Sequence, residues 1–224
     1  MAGILFIISA PSGSGKSTLV SQLRSLVEGL DFSISYTTRA PRGSETDGRE
    51  YHFVTREEFE AKIVRGEFLE WAEVFGNYYG TALSALKHAR ELGKDLLLDI
   101  DVQGAMQVMQ RLPAAVSIFI LPPSPEVLEK RLRNRSVAEH VTSEVVIKKR
   151  LAEAEHELQH IGEYKYALVN DVLDEAVDEM RAIVLTERGE GEEVEAIAAT
   201  CRTDAVSAKL QTALETFSRR TVAE

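Results

Sequence analysis

An apolar run from Ile4 to Ile8 leads into the octet Ala10, Pro11, Ser12, Gly13, Ser14, Gly15, Lys16, Ser17, and a helix-like segment follows from about Thr18. A glycine-rich turn between a buried strand and a helix is the setting of a phosphate-binding loop. Gly13 and Gly15 free the backbone N–H groups to curl around a triphosphate, and the helix that follows presents its positive end to the anion. In such a loop Lys16 reaches the β and γ phosphates and Ser17 ligates Mg²⁺. The general pattern has glycine where this chain has Ala10, so the first turn must be made at a φ that alanine accepts.

The chain has 224 residues, enough for one sizeable α/β core with inserted subdomains. With 26 basic and 36 acidic residues its formal net charge is −10. That balance argues against a general nucleic-acid binder, which needs clustered positive charge. Cys201 is the sole cysteine, so neither an intrachain disulfide nor a cysteine zinc cage can form, and a cytoplasmic setting is expected. The apolar runs are strand-sized and no leader pattern opens the chain, so neither membrane span nor targeting signal is expected.

Residues 4 to 10 read as a buried strand and Thr18 to Leu30 as a helix with Leu19, Leu23 and Leu26 inward. Thr55 and Glu58 form a capping box for a short helix carrying Phe59 and Ile63, stopped at Gly66. Phe68 to Phe75 and Tyr78 to Thr81 read as a hairpin turning at Gly76 and Asn77. A helix over Ala82 to Leu92 precedes a buried strand, Leu96 to Asp101, that ends in acids. Val116 to Leu121 is a strand, Ser124 and Pro125 start a helix through Arg131, and another begins near Thr142 or Ser143. The latter carries Ile147, Leu151, Ala154, Leu158 and Ile161 inward and Lys148, Lys149 and Arg150 outward. Tyr166 to Val169 is a last core strand, and Asp174 caps a helix through Arg188. Beyond Gly189 the apolar positions Ile197, Cys201, Leu210, Leu214 and Phe217 suggest amphipathic helices whose stripe must cover the body or a second copy.

Asp99 and Asp101 stand at the C-terminal end of a strand, where an open α/β sheet faces its ligand. They suit the hydration shell of Mg²⁺, or the capping of the next helix. Ser35, Arg39, Arg42 and Tyr51 fall in one polar stretch whose guanidinium forks suit a phosphate, although such arginines also serve as ordinary solvated surface. The five histidines show no metal-site spacing.

Taken together, Ser-Gly-Ser-Gly-Lys-Ser at 12–17, Ser-Tyr-Thr-Thr-Arg-Ala-Pro-Arg at 35–42, Gly-Arg-Glu-Tyr-His-Phe at 48–53, Phe-Leu-Glu-Trp-Ala at 68–72, Gly-Asn-Tyr-Tyr-Gly-Thr at 76–81 and Leu-Asp-Ile-Asp at 98–101 closely resemble the guanylate kinases. The resemblance covers residues 3 to about 188. It implies an α/β P-loop nucleotide kinase fold, a parallel sheet flanked by helices with an inserted GMP-binding subdomain and a lid. The implied core is 3–34, 82–130 and 160–188, the insert 35–81 and the lid about 131–159; residues 189–224, beyond the resemblance, read as a helical tail.

The resemblance also implies roles. Glu70 would accept from guanine N1–H and the exocyclic amine, and the Ser35 and Thr81 hydroxyls would serve O6. Arg39, Arg42, Tyr51 and Tyr79 would hold the GMP phosphate, with Asp99 and Asp101 positioning the acceptor and, through water, the metal. Arg131, Arg135 and Arg150 would surround the transferring phosphates, and Asn170 would lie near the adenine. The implied reaction is phosphoryl transfer from Mg²⁺-ATP to GMP, with dGMP a further candidate acceptor. The rival readings are a kinase for another nucleoside monophosphate and a non-catalytic peptide-binding scaffold; the tail lies beyond the resemblance, and its apolar stripe is expected to cover the core or to build a homo-oligomer.

Overall fold

The computed structural model describes residues 3–138 and 144–221. The elements run β1 (Leu5–Ser9), α1 (Lys16–Leu26), β2 (Leu30–Phe32), β3 (Tyr36–Thr37), β4 (His52–Phe53), α2 (Arg56–Val64), β5 (Phe68–Val74), β6 (Asn77–Ala82) and α3 (Leu83–Glu91). They continue with β7 (Asp95–Asp99), α4 (Val102–Arg111), β8 (Val116–Leu121), α5 (Pro125–Ala138), α6 (Glu144–Leu158), β9 (Tyr166–Val169), α7 (Leu173–Arg188), α8 (Glu195–Thr200) and α9 (Ala208–Thr221).

Two compact units emerge, residues 1–7 with 29–115 and residues 8–28 with 116–224, and β1 passes from the first into the second. In the first, the parallel strands are ordered β2, β7, β1, with Leu30 opposite Asp95 and Phe32 opposite Leu97. In the second the order is β1, β8, β9, with Ile118 opposite Tyr166 and Leu121 opposite Val169. Every residue of β1, β8 and β9 is buried, which is why these segments read as unbroken apolar runs. The first unit also holds a separate four-stranded sheet, ordered β4, β3, β6, β5.

Local signals placed most elements. The capping box of α2 forms as expected: the Glu58 N–H donates to Thr55 Oγ1 at 3.2 Å, and the Thr55 N–H donates to Glu58 Oε2 at 2.9 Å. Phe59 is fully buried beneath that helix. Ser124 caps α5 through its Oγ, which accepts from the Val127 N–H at 3.4 Å.

Several boundaries differ from the sequence reading. α1 begins two residues early, at Lys16, and ends at Leu26, because Val27 adopts an extended conformation and Leu30 is needed to pair with β7. Leu26 is exposed at 55%, and Val20 and Val27 complete the buried face with Leu19 and Leu23. The β5–β6 hairpin turns at Phe75 and Gly76, with φ of 50° and 82°, and Asn77 already pairs with Val74. Two successive positive φ values match the right-handed strand twist, and they override the steric reluctance of phenylalanine. β7 ends at Asp99, and Asp101 leaves the strand to cap α4. α5 continues past Arg131 to Ala138. The expected start of α6 at Thr142 or Ser143 lies outside the described residues; Ile161 falls in a short 3₁₀ turn after α6. Asp174 sits in the first turn of α7, where its charge favours the helix dipole, and Val172 is the capping position.

The tail stripe is covered by its own unit. Leu210, Ala213 and Phe217 of α9 are buried, as is Cys201, whose carbonyl accepts from the Ala167 N–H at the edge of β9 at 2.7 Å. Lys209 holds Glu179 at 2.9 Å and so ties α9 to α7. Ile197 stays 40% exposed. With its apolar face spent within the chain, the tail no longer calls for a second copy to cover it. No helix among the described residues is long and apolar enough to cross a membrane.

Candidate functional site

In the second unit the loop between β1 and α1 closes on itself, the Ser14 N–H donating to the Pro11 carbonyl at 3.0 Å. Gly13 and Gly15 take φ of 93° and 86°, and Ala10 is not among the residues with positive φ, so alanine meets no strain where the general pattern has glycine. Gly15 is the N-terminal cap position of α1, and its carbonyl accepts from the Leu19 N–H at 3.2 Å. Lys16 and Ser17 therefore stand in the first helical turn, where backbone N–H groups lack intrahelical acceptors and favour an anion. Ala10, Pro11 and Ser14 are buried, Ser12, Gly13 and Lys16 are half-buried, and Ser17 is exposed. The buried Ser14 hydroxyl has no hydrogen-bond partner.

Two sequence-predicted residues of the second unit hold this loop. Asn170, at the end of β9 and 5% exposed, donates from Nδ2 to the Ser14 carbonyl at 2.7 Å. Arg131 donates to the Asn170 carbonyl at 3.0 Å and to the Ser14 carbonyl at 3.4 Å. Both side chains brace the loop backbone. Arg150 on α6 is half-buried, not on the outer face with Lys148 and Lys149. Arg135 lies on α5, and its side chain is outside the described residues. His156 and His160, four apart, bring their rings to 5.5 Å, a pairing that spacing should have flagged. Among the described residues no three potential ligands gather for a metal.

The first unit holds the acceptor candidates. Thr81 on β6 is fully buried and Glu70, opposite it on β5, is 2% exposed. Neither Glu70 Oε1 nor Thr81 Oγ1 has a hydrogen-bond partner. Burial pushes the Glu70 carboxyl up to about 7, Thr81 stands near enough to pull against that shift, Asp101 adds to it, and Arg111 opposes it. A buried carboxylate oxygen with no partner of its own is costly to keep, so this is a place prepared for a ligand that brings donors. Ser35 is buried on the same sheet's approach, just before β3.

Arg39, Tyr51 and Tyr79 form a second cluster in this unit. The Arg39 guanidinium lies 5.3 Å from the Tyr51 ring centre, and the Tyr51 and Tyr79 rings meet edge to face at 5.9 Å. Burial works against the charge of Arg39, but Glu45, at 3.0 Å, and Tyr79 outweigh it and keep the group charged. Glu45 was not foreseen; it also accepts from the Arg42 N–H at 2.8 Å, which orders the turn while the Arg42 side chain stays exposed. Asp99 and Asp101 are half-buried, and Asp101 Oδ1 accepts from the Gly104 N–H at 3.1 Å, the capping role left open by its position. The Ser17 hydroxyl and Asp99 carboxylate are hard oxygen donors of the kind that Mg²⁺ takes, and an ion that arrives on a nucleotide needs few protein ligands.

A sequence model of the family described as guanylate kinase matches residues 3–187. The guanylate kinase of Koribacter versatilis is 60% identical over 188 residues, spanning 84% of this chain and 80% of that protein. That of Dechloromonas aromatica is 51% identical over 184 residues, spanning 82% and 89%. The crystal structure of guanylate kinase from Anaplasma phagocytophilum superposes with a TM-score of 0.68 at 36% identity, covering 83% of this chain and 86% of that one. Matched over most of its length in sequence and in fold, this chain belongs to the guanylate kinase family.

Proposed function

We propose that this chain is an ATP:GMP phosphotransferase that works in the cytoplasm, converting ATP and GMP to ADP and GDP. The observation that carries the acceptor assignment is the buried, unpartnered pair Glu70 Oε1 and Thr81 Oγ1. Guanine presents N1–H and an exocyclic amine on one edge, two donors for one carboxylate, and its O6 can accept from the Thr81 and Ser35 hydroxyls. Adenine has an unprotonated N1 there and would leave the carboxylate unpaired. A site with buried polar groups rejects such a base by about 10⁴-fold or more in the best cases.

On the donor side the positive-φ glycines and the first turn of α1 support a cradle for the phosphate chain of ATP, with Lys16 directed at its β and γ groups. Arg39, Tyr51 and Tyr79 are read as holders of the GMP phosphate, Arg42 as a further contact from the exposed turn, and Arg131, Arg135 and Arg150 as charge partners of the transferring group. An oxygen of the GMP phosphate attacks the γ phosphorus as the bond to the ADP oxygen breaks, so no side chain need form a covalent intermediate. Ser17 and Asp99, with Asp101, would hold Mg²⁺ and its water, and that ion supplies neutralisation of phosphate charge.

An assay of ADP release with GMP, dGMP, AMP, CMP and UMP tests the reading. Turnover with GMP far above the other bases is expected. Turnover of another base in preference would favour the rival kinase, and none with any of them the peptide-binding scaffold.

A further inference from the structure

Glu70 is held by a helix that the phosphate and base contacts do not explain. β5 is the edge strand of its sheet, and its register with β6 shifts between Phe68 and Glu70. An edge strand leaves backbone donors and acceptors unpaired on its outer side. Here α4 takes them up. Gln107 donates from Nε2 to the Trp71 carbonyl at 2.7 Å and accepts the Trp71 N–H on Oε1 at 3.4 Å, and Arg111 Nη1 donates to the Leu69 carbonyl. The two residues flanking Glu70 are thus both pinned by one helix.

Directly against the Glu70 carboxylate stands Gly104, three residues before Gln107 and seven before Arg111, on the same helical stripe. A Cβ at Gly104 would lie 2.4 Å from Glu70 Oε2 and 3.0 Å from its Cδ. No side chain fits there while Glu70 keeps its place. Glycine inside a helix is unfavourable compared with alanine, so its presence in the first turn of α4 calls for a packing reason.

We propose that the α4 stripe of Gly104, Gln107 and Arg111 is the positioning element that aims Glu70 at the acceptor base and so sets base specificity. This rests on the reading of Glu70 as the guanine acceptor. The three residues do not touch substrate. Gln107 and Arg111 fix where β5 carries the Glu70 backbone, and Gly104 leaves the gap into which its carboxylate folds. A base with both N1–H and the amine gains two bonds from a carboxylate held in that plane, whereas inosine monophosphate, which lacks the amine, gains one.

Steady-state ADP release by the full chain, with GMP, inosine monophosphate and ATP each varied in turn, tests this. Gly104→Ala should raise the KM for GMP by about tenfold or more, leave that for ATP within about twofold, and lower the preference for GMP over inosine monophosphate. Gln107→Leu should act in the same direction by about fivefold. In a Glu70→Ala background, Gly104→Ala should add less than about twofold, since the colliding partner is gone. Additive effects, an equal rise in both KM values, or an unchanged GMP KM in Gly104→Ala would overturn the proposal. Should Gly104→Ala not fold, the Glu70→Ala, Gly104→Ala double variant should recover folding; its failure to do so would assign Gly104 to general packing and also overturn it. A Glu70→Ala variant with the parental GMP KM would instead sink the acceptor reading itself.

Discussion

The Asn170 side-chain amide donates to the Ser14 carbonyl across 156 positions of sequence, at 2.7 Å and out of reach of water. It ties the end of β9 to the phosphate loop, and Gly15 leaves it room: a Cβ there would lie 2.4 Å from Asn170 Nδ2. Arg131 closes the same bracket from α5.

Asn170→Ala should therefore loosen the loop more than it weakens any contact to the base of ATP. A rise in the ATP KM of about tenfold is expected, the loss of one buried hydrogen bond, with the GMP KM unchanged. Asn170→Asp should be worse, because it sets a carboxylate against a carbonyl oxygen and near the bound phosphates. Initial rates at varied ATP check both, and an Asn170→Asp variant with parental ATP KM would refute the bracket.

Glu70 should give the free protein a distinctive pH dependence. Its carboxyl is raised from 4.5 to about 7, so between those values the folded chain keeps a proton that the unfolded chain has released. The stabilisation is complete below 4.5 and is lost as pH rises through about 7, a difference of roughly 3 kcal/mol. Glu70→Gln cannot ionise, so it should melt above the parent near pH 8 and lack this slope. Thermal melts of the two proteins in parallel, free of nucleotide, decide it; coincident slopes would count against the burial of an unpaired carboxyl.

GMP recognition should run the other way, because only the ionised carboxylate accepts two hydrogen bonds. The GMP KM should climb as pH falls below about 7 while the ATP KM stays level over the same range. Rates with one substrate saturating and the other varied, from about pH 5.5 to about pH 8, test this.

Thr55→Ala removes one half of the capping box of α2. A loss of about 1 kcal/mol in unfolding free energy is expected, with both KM values unchanged. Denaturant unfolding measures it, and it serves as the reference for a purely structural change in the first unit.

Phe217→Ala should cost about 3 kcal/mol or more, since the ring is 6% exposed within the second unit and α9 has no other apolar anchor of its size. The variant should unfold at lower denaturant without a change of mass in light scattering. A fall in oligomer size on this substitution would return the tail to the role of interface.

Local chemistry sufficed for much of this. The apolar runs of β1 and β8, the capping box at Thr55, the cap at Ser124 and the glycine pattern at residues 12–17 each act through neighbours a few positions away, so the order of residues states them outright. Gly104 went unread, because only the packed chain brings the Glu70 carboxylate against it. The hairpin turn was misplaced by one residue because strand twist, a property of the pair, outweighed the preference of a single side chain.

What the order of residues alone determined was many of the elements and the chemical inventory: a phosphate loop, a carboxylate at 70, arginines at 39 and 42, acids at the end of a strand. Tertiary structure alone decided what those groups press against. Asn170 and Arg131 brace the loop at Ser14, Gln107 and Arg111 grip β5 on either side of Glu70, and α9 spends its stripe on its own unit. These contacts join positions far apart in sequence, and they exist because buried backbone groups and apolar faces take whichever partner the packed chain brings to them.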